Sequence, residues 1–213
     1  MLIFSVASSQ TAGLGTWNVL NVKKNFNEKW FAFGELQGRS QKLYNDFFYH
    51  EYKGGVGYNV HKSFSIIVAA GQYVTYDPTD NFDSVIQSEF RFWQQFTFTN
   101  EINRVEIEHR YRAEQRWIND DYRNRFRYRL NITIPLNKPK VEKGAVFTSI
   151  ANEIFLTDNP PYFERNRFFA VVGYAFTDLF TLQAGWLNQF DYRLTGNSTK
   201  KNYLQTSLLF TLD

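Results

Sequence analysis

Residues 104–134, RVEIEHRYRAEQRWINDDYRNRFRYRLNITI, decide how the chain is read. Every second position carries charge: Glu106, Glu108, Arg110, Arg112, Glu114 and Arg116, then Arg123, Arg125, Arg127 and Arg129. The alternate set is largely apolar: Val105, Ile107, His109, Tyr111, Ala113, Gln115 and Trp117, then Tyr122, Asn124, Phe126, Tyr128, Leu130, Ile132 and Ile134. The period is two and not 3.6, so this is a pair of β-strands with one charged and one apolar face. Arg116 and Arg123 share a face only if the hairpin loop holds an even number of residues. With four, residues 118–121, Glu114 faces Arg125 and Arg112 faces Arg127. From Arg104 to Arg129 the charged face holds eight arginines and three glutamates. Facing arginines repel, so acids must come from elsewhere: Glu35, Glu89, Glu153 and Asp191 are the candidates.

In a soluble protein the apolar face would form the core. Here the inverse is predicted: the apolar face meets lipid and the charged face lines a closed barrel. Aromatic residues make up 19 % of the 213-residue chain, with 22 Phe and 13 Tyr, which suits strand faces and interfacial girdles. Mean hydropathy is −0.45 and no run of 18 apolar residues occurs, which excludes a helical membrane protein. The net charge of +3 is too small to make basicity a global property, and the absence of cysteine excludes disulfides and thiolate metal sites.

Alternating runs recur along the whole chain. Strands are predicted at 16–24, 30–40, 47–60, 64–76 and 84–98, at the two strands of the 104–134 stretch, and at 145–156, 167–176, 181–193 and 202–212. Glu35 and Arg39 fall on the inner face of the second, Glu89 and Arg91 on that of the fifth, and Glu153 on that of the eighth. Short turns alternate with longer loops at 41–46, 77–83, 157–166 and 194–201, the pattern of an outer-membrane barrel. The count is eleven. Bacterial barrels of this kind have an even number, so twelve strands are expected, with ten as the alternative. MLIFSVASSQ reads as a signal-peptide remnant: an apolar run, then Ala7 and Ser9 at −3 and −1 of a cut before Gln10. The division expected is residues 1–9 as remnant and 10–213 as one antiparallel up-and-down transmembrane barrel.

The inward charges in Glu35, Arg39, Glu89, Arg91, Glu106, Glu108, Arg110, Arg112, Glu114, Arg116, Arg123, Arg125, Arg127, Arg129 and Glu153 read first as a salt-bridge network filling a narrow lumen. The alternative is an anion-binding barrel or narrow anion path, since clustered arginine holds phosphate and carboxylate. A second alternative is a lipid hydrolase, for which His50, His109 and Ser88 lie on the outward face, though no spacing ties them together. Nucleic-acid binding is disfavoured because aromatics and basic residues lie on opposite faces. Asp120 and Asp121 read as turn residues, and Gly54-Gly55-Val56-Gly57 is no dinucleotide loop because no helix follows. No cofactor is expected; the partners expected are outer-membrane lipid, other envelope proteins and small anions.

The runs EIEHRYRAEQRW (106–117) and RNRFRYRLNITIPL (123–136), with Asn152-Glu153-Ile154-Phe155, Arg165-Asn166-Arg167, Val172-Gly173-Tyr174, Gly185-Trp186 and Gln189, resemble the barrels of domain of unknown function family 2490. The resemblance covers the chain from about Trp17 onward. It implies a bacterial outer-membrane β-barrel with no assigned activity, and therefore no catalytic residue to carry over.

Overall fold

The computed structural model describes residues 9–80, 82–119 and 121–213, with side chains from Gly13 onward. The signal remnant, apart from Ser9, and Asp120 lie outside the described residues. Eleven strands form one closed barrel: β1 (Ser9–Asn25), β2 (Trp30–Lys42), β3 (Asn45–His61), β4 (Phe64–Tyr76), β5 (Val85–Ile102), β6 (Val105–Ile118), β7 (Asp121–Pro135), β8 (Val146–Thr157), β9 (Phe163–Ala175), β10 (Phe180–Asp191) and β11 (Thr199–Leu212). No helix occurs among the described residues.

Each strand pairs antiparallel with its neighbours in sequence. The ring is closed by β1 and β11, which run parallel, from Ser9 opposite Thr199 to Lys24 opposite Leu212. An even total is required only when every pair is antiparallel. The parallel seam removes that requirement, and the number is the eleven counted strand by strand along the sequence, not twelve or ten.

The central hairpin has the expected register. Glu114 faces Arg125 and Arg112 faces Arg127. Ile118 also pairs with Asp121, so the loop shrinks to residues 119–120. Asn119 (φ 51°) and Asn103 (φ 56°) sit in the left-handed region at such tight turns, where asparagine is tolerated. The anticipated loop 41–46 is likewise a two-residue turn at 43–44. Connection lengths therefore separate the two ends less cleanly than the sequence suggests. The longest, 136–145, lies among the short turns, pinned by Asn137, whose side chain donates to Gly144 O at 2.9 Å and accepts from Val146 N at 2.7 Å.

Alternation sorts the wall into two faces. Leu36, Tyr52, Val68, Phe90, Phe126, Ile150 and Leu208 point out and are exposed. Trp93, Glu114, Arg125, Phe155 and Glu153 point in and are almost fully buried. The inner face is not charged all round. Beside the seam, Trp17, Leu187 and Tyr203 form an apolar cluster, with Val19 and Phe169 packed on it.

Candidate functional site

The lumen is the site. The strand alternation delivers long guanidinium side chains from β5, β6, β7 and β9 into one space, where acids from several strands interleave with them. Glu114 is completely buried. Arg125 donates to its Oε2 from Nε and Nη2 at 2.8 and 2.6 Å, Arg127 donates to Oε1 at 2.6 Å, and Arg112 reaches Oε1 at 3.4 Å. One carboxylate thus serves three arginines. Glu153 accepts from Arg110 at 2.6 Å and from Arg127 at 3.1 and 2.8 Å. Glu89 binds Arg91 through both oxygens at 2.6 and 2.7 Å and also receives Arg116. The facing pairs Arg110/Arg129, Arg112/Arg127 and Arg116/Arg123 are tolerated because these acids stand among them.

Three of the four candidate acids join arginines: Glu89, Glu153 and Asp191, the last paired with Arg165. Glu35 instead meets Lys53 at 2.6 Å. Lys53 is shared with Glu51, which also takes Arg39 at 3.1 Å and the Tyr49 hydroxyl. Arg129 pairs with Glu108 at 2.6 Å nearer the other end. Glu106 faces Thr133 and Glu101, is exposed, and joins no ion pair among the described residues.

Glu164 is a further lumen acid in the segment expected as the loop 157–166: β9 begins earlier than the sequence suggests, at Phe163. Phe155 pairs with Arg165 and Leu156 with Phe163, which leaves Glu164 as the extra residue of a β-bulge. A bulge breaks the two-residue period, so Glu164 and Arg165 both serve the lumen. Glu164 accepts from Arg116 at 3.2 Å, Arg123 at 2.9 Å and Arg125 at 3.1 Å, tying three strands together. Lys53, Arg165 and Arg167 are further lumen cations outside the arginine-dense stretch. Lys53 and Arg167 fall on inward positions of the alternating runs, whereas Arg165 falls in the segment expected as a loop.

Aromatic rings complete the packing. Phe155, fully buried, has the guanidinium carbons of Arg127 and Arg167 at 4.5 and 4.7 Å from its centroid, and those of Arg125 and Arg165 at 5.2 and 5.7 Å. Arg91 stacks on Tyr73 at 3.6 Å and Arg39 lies 3.4 Å over Trp17. These contacts offset part of the cost of burying so much charge. A cavity of ≈ 1250 Å³ remains between the side chains. Thirteen Lys or Arg and seven Asp or Glu line it, so its walls carry excess positive charge.

On the outer face, His50 packs against Tyr76 and Phe82, the His109 ring hydrogen-bonds Tyr128 Oη at 2.9 Å, and Ser88 accepts from Gln72 at 2.7 Å. His50 and Ser88 stand in one row on either side of Val74, but no hydrogen bond among the described residues joins any two of the three. No cluster of metal-ligating side chains occurs among the described residues.

Residues 14–200 match the family model described as "Protein of unknown function (DUF2490)". The chain belongs to this family. The match spans the ion-pair network from Glu35 to Asp191 and strands β2 to β10 in full, with β1 from Leu14 and only the first two residues of β11. No curated protein and no solved structure matches the chain.

Proposed function

We propose that this family member is an outer-membrane β-barrel of structural or accessory role in the envelope, its lumen closed by the Arg/Glu network. The observation that carries the reading is how polar groups on the outer wall are treated. Gln94 and Gln115 exchange hydrogen bonds at 3.2 and 3.4 Å, and Asn152 and Asn166 do so at 3.1 Å each. Asn188 and the Trp186 indole both donate to Asn202, at 2.7 and 3.1 Å. In water such side chains need no protein partner. In hydrocarbon an unmet amide is costly, and pairing across strands is the remedy.

Aromatic rows at both ends agree. Trp30–Tyr58, Phe64–Phe98 and the chain Tyr174–Phe176–Phe180–Phe210 flank the 26–29, 62–63 and 176–179 turns. Phe90–Trp117–Tyr122 and Phe163–Tyr192 ring the other end. The wall between them mixes aliphatic side chains such as Leu36, Val68 and Ile150 with the aromatic pairs Tyr111–Tyr128 and Phe168–Trp186, and the aromatic rows at the two ends suit the two interfaces of a bilayer.

Leu36 tests this. It stands at the centre of β2, 55 % exposed, facing outward between Leu20 and Tyr52. Leu36→Arg should cost about 2–4 kcal/mol of folding stability in a lipid bilayer, as charge at a midplane does. On a water-facing wall the same change should stay within about 0.5 kcal/mol, and that result ends the membrane reading. A closed lumen also predicts no steady conductance in planar bilayers. The second reading, an anion-handling lumen, is favoured by the surplus of cations lining the cavity.

A further inference from the structure

Among the described residues, Arg167 is the buried lumen arginine that no carboxylate reaches within ion-pair distance. It stands directly opposite Glu153 across β8 and β9, where an ion pair is expected. Glu153 instead turns its Oε1 to Arg110 and Arg127. Arg167 is left with one hydrogen bond of 2.9 Å, from Nε to Gln189 Oε1, and with no carboxylate within ion-pair distance among the described residues. It is 93 % buried by its 7 % exposure, yet it lines the cavity. Its guanidinium lies 4.7 Å over Trp17 and 4.7 Å over Phe155; Arg165 and Arg39 are near enough to repel it, and the attraction of Glu153, beyond ion-pair distance, offsets only part of this. Arg39, on the same Trp17 ring, has a buried Nε without a partner.

We propose that Arg167, with Arg39 beside it, is a binding site for a small oxyanion, a phosphate or carboxylate group, inside the lumen. A buried cation facing like charge is costly until an anion arrives. A guanidinium presents two parallel N–H donors that match such oxyanions and not a halide. The rings of Trp17 and Phe155 pack against the guanidinium where it borders the cavity. Gln189, held in turn by Asp191 at 2.7 Å from Nε2 to Oδ2, fixes Nε and leaves the Nη groups for the ligand. The inference deepens the anion-handling reading and rests on lumen geometry alone, so failure of the Leu36 test would leave it standing.

The test uses the full chain purified in detergent, titrated at constant ionic strength with inorganic phosphate, with acetate and with chloride. Tryptophan fluorescence and the thermal midpoint are the readouts. Wild type should give a saturable response to phosphate or acetate and none to chloride; which of the two saturates identifies the source of the oxyanion. Arg167→Gln, which relieves repulsion and should fold, ought to weaken the apparent affinity at least tenfold. Arg167→Lys, keeping the charge but losing the fork, should weaken it as well and replaces the glutamine variant if that one does not fold. Arg129→Gln, whose partner is Glu108, should bind as wild type. A response shared by chloride, one that never saturates, or one unchanged by both Arg167 variants overturns the site.

Discussion

The two halves of the lumen are filled by opposite means. Toward the 119–120 turn and the 158–162 loop, the space is occupied by Glu89, Glu114, Glu164 and the arginines they hold. Toward the 26–29 and 176–179 turns it is occupied by rings lying over missing side chains. Phe31 faces Gly57 and Phe147 faces Gly173, both rings buried, and a Cβ at either glycine would fall inside the opposing ring. Small hydroxyl and amide contacts finish that half: Thr133 to Ser149 at 3.3 Å and Ser149 to Asn131 at 2.7 Å. Side chains fill much of the interior of this eleven-stranded barrel around the cavity that remains. Shape does so cheaply. Charge does so only where carboxylates and arginines are interleaved, and it leaves a remainder such as Arg167. In the half built on shape the charge left over is a carboxylate, Glu106, exposed and without an ion pair among the described residues, whereas the buried arginine left over, Arg167, lies in the charged half.

The largest loss is expected at Glu114. Glu114→Ala removes the one acid shared by Arg112, Arg125 and Arg127 and leaves these buried cations against each other. The expected loss is about 3–5 kcal/mol, the cost of stripping one partner from a buried ion pair. Urea unfolding from micelles, followed by tryptophan fluorescence, should show the midpoint collapse. A near-wild-type midpoint would mean that water already screens this half, and the contrast between the two halves would vanish.

The charged half was the legible one. Alternation over 104–134 fixes strand type, face and hairpin register, because all three are local properties of one hairpin. Glu114 opposite Arg125 follows from the parity of a single turn. What stays hidden is non-local or breaks parity. Nothing in Trp17 or Tyr203 says that β1 and β11 meet in parallel, since period two is the same in either direction. Glu164 hides in a bulge. The cluster of Trp17, Leu187 and Tyr203 hides because an apolar residue on an inward position looks like an error in the pattern until the seam is seen. The competition that takes Glu153 from Arg167 depends on side-chain reach, which pairing alone does not give.

In the shape-filled half, Gly57→Val should cost about 1–3 kcal/mol, the price of overpacking a closed core. The Phe31 ring has to leave its place over the glycine. Combining the change with Phe31→Ala should recover much of the loss, because the two residues occupy one volume and their effects cannot add. Strict additivity in this double-mutant cycle would show that the ring is free to move and that shape does not hold this half.

The smallest effect sharpens the comparison most, because it holds the chemistry constant and changes only the surroundings. Glu108→Ala removes an Arg–Glu pair of 2.6 Å, as short as the closest contacts at Glu114. Here the side chains are 27 % and 23 % exposed, against 1 % and 0 % for Arg125 and Glu114. Water can replace the lost carboxylate at Arg129, so the loss should be under about 1 kcal/mol and should shrink further in high salt. The Glu114 variant, whose cations are cut off from solvent, should respond much less to salt. Equal losses for the two glutamates in the same urea titration would show that burial does not set the strength of this network, and that its two ends are held by one and the same balance of charge.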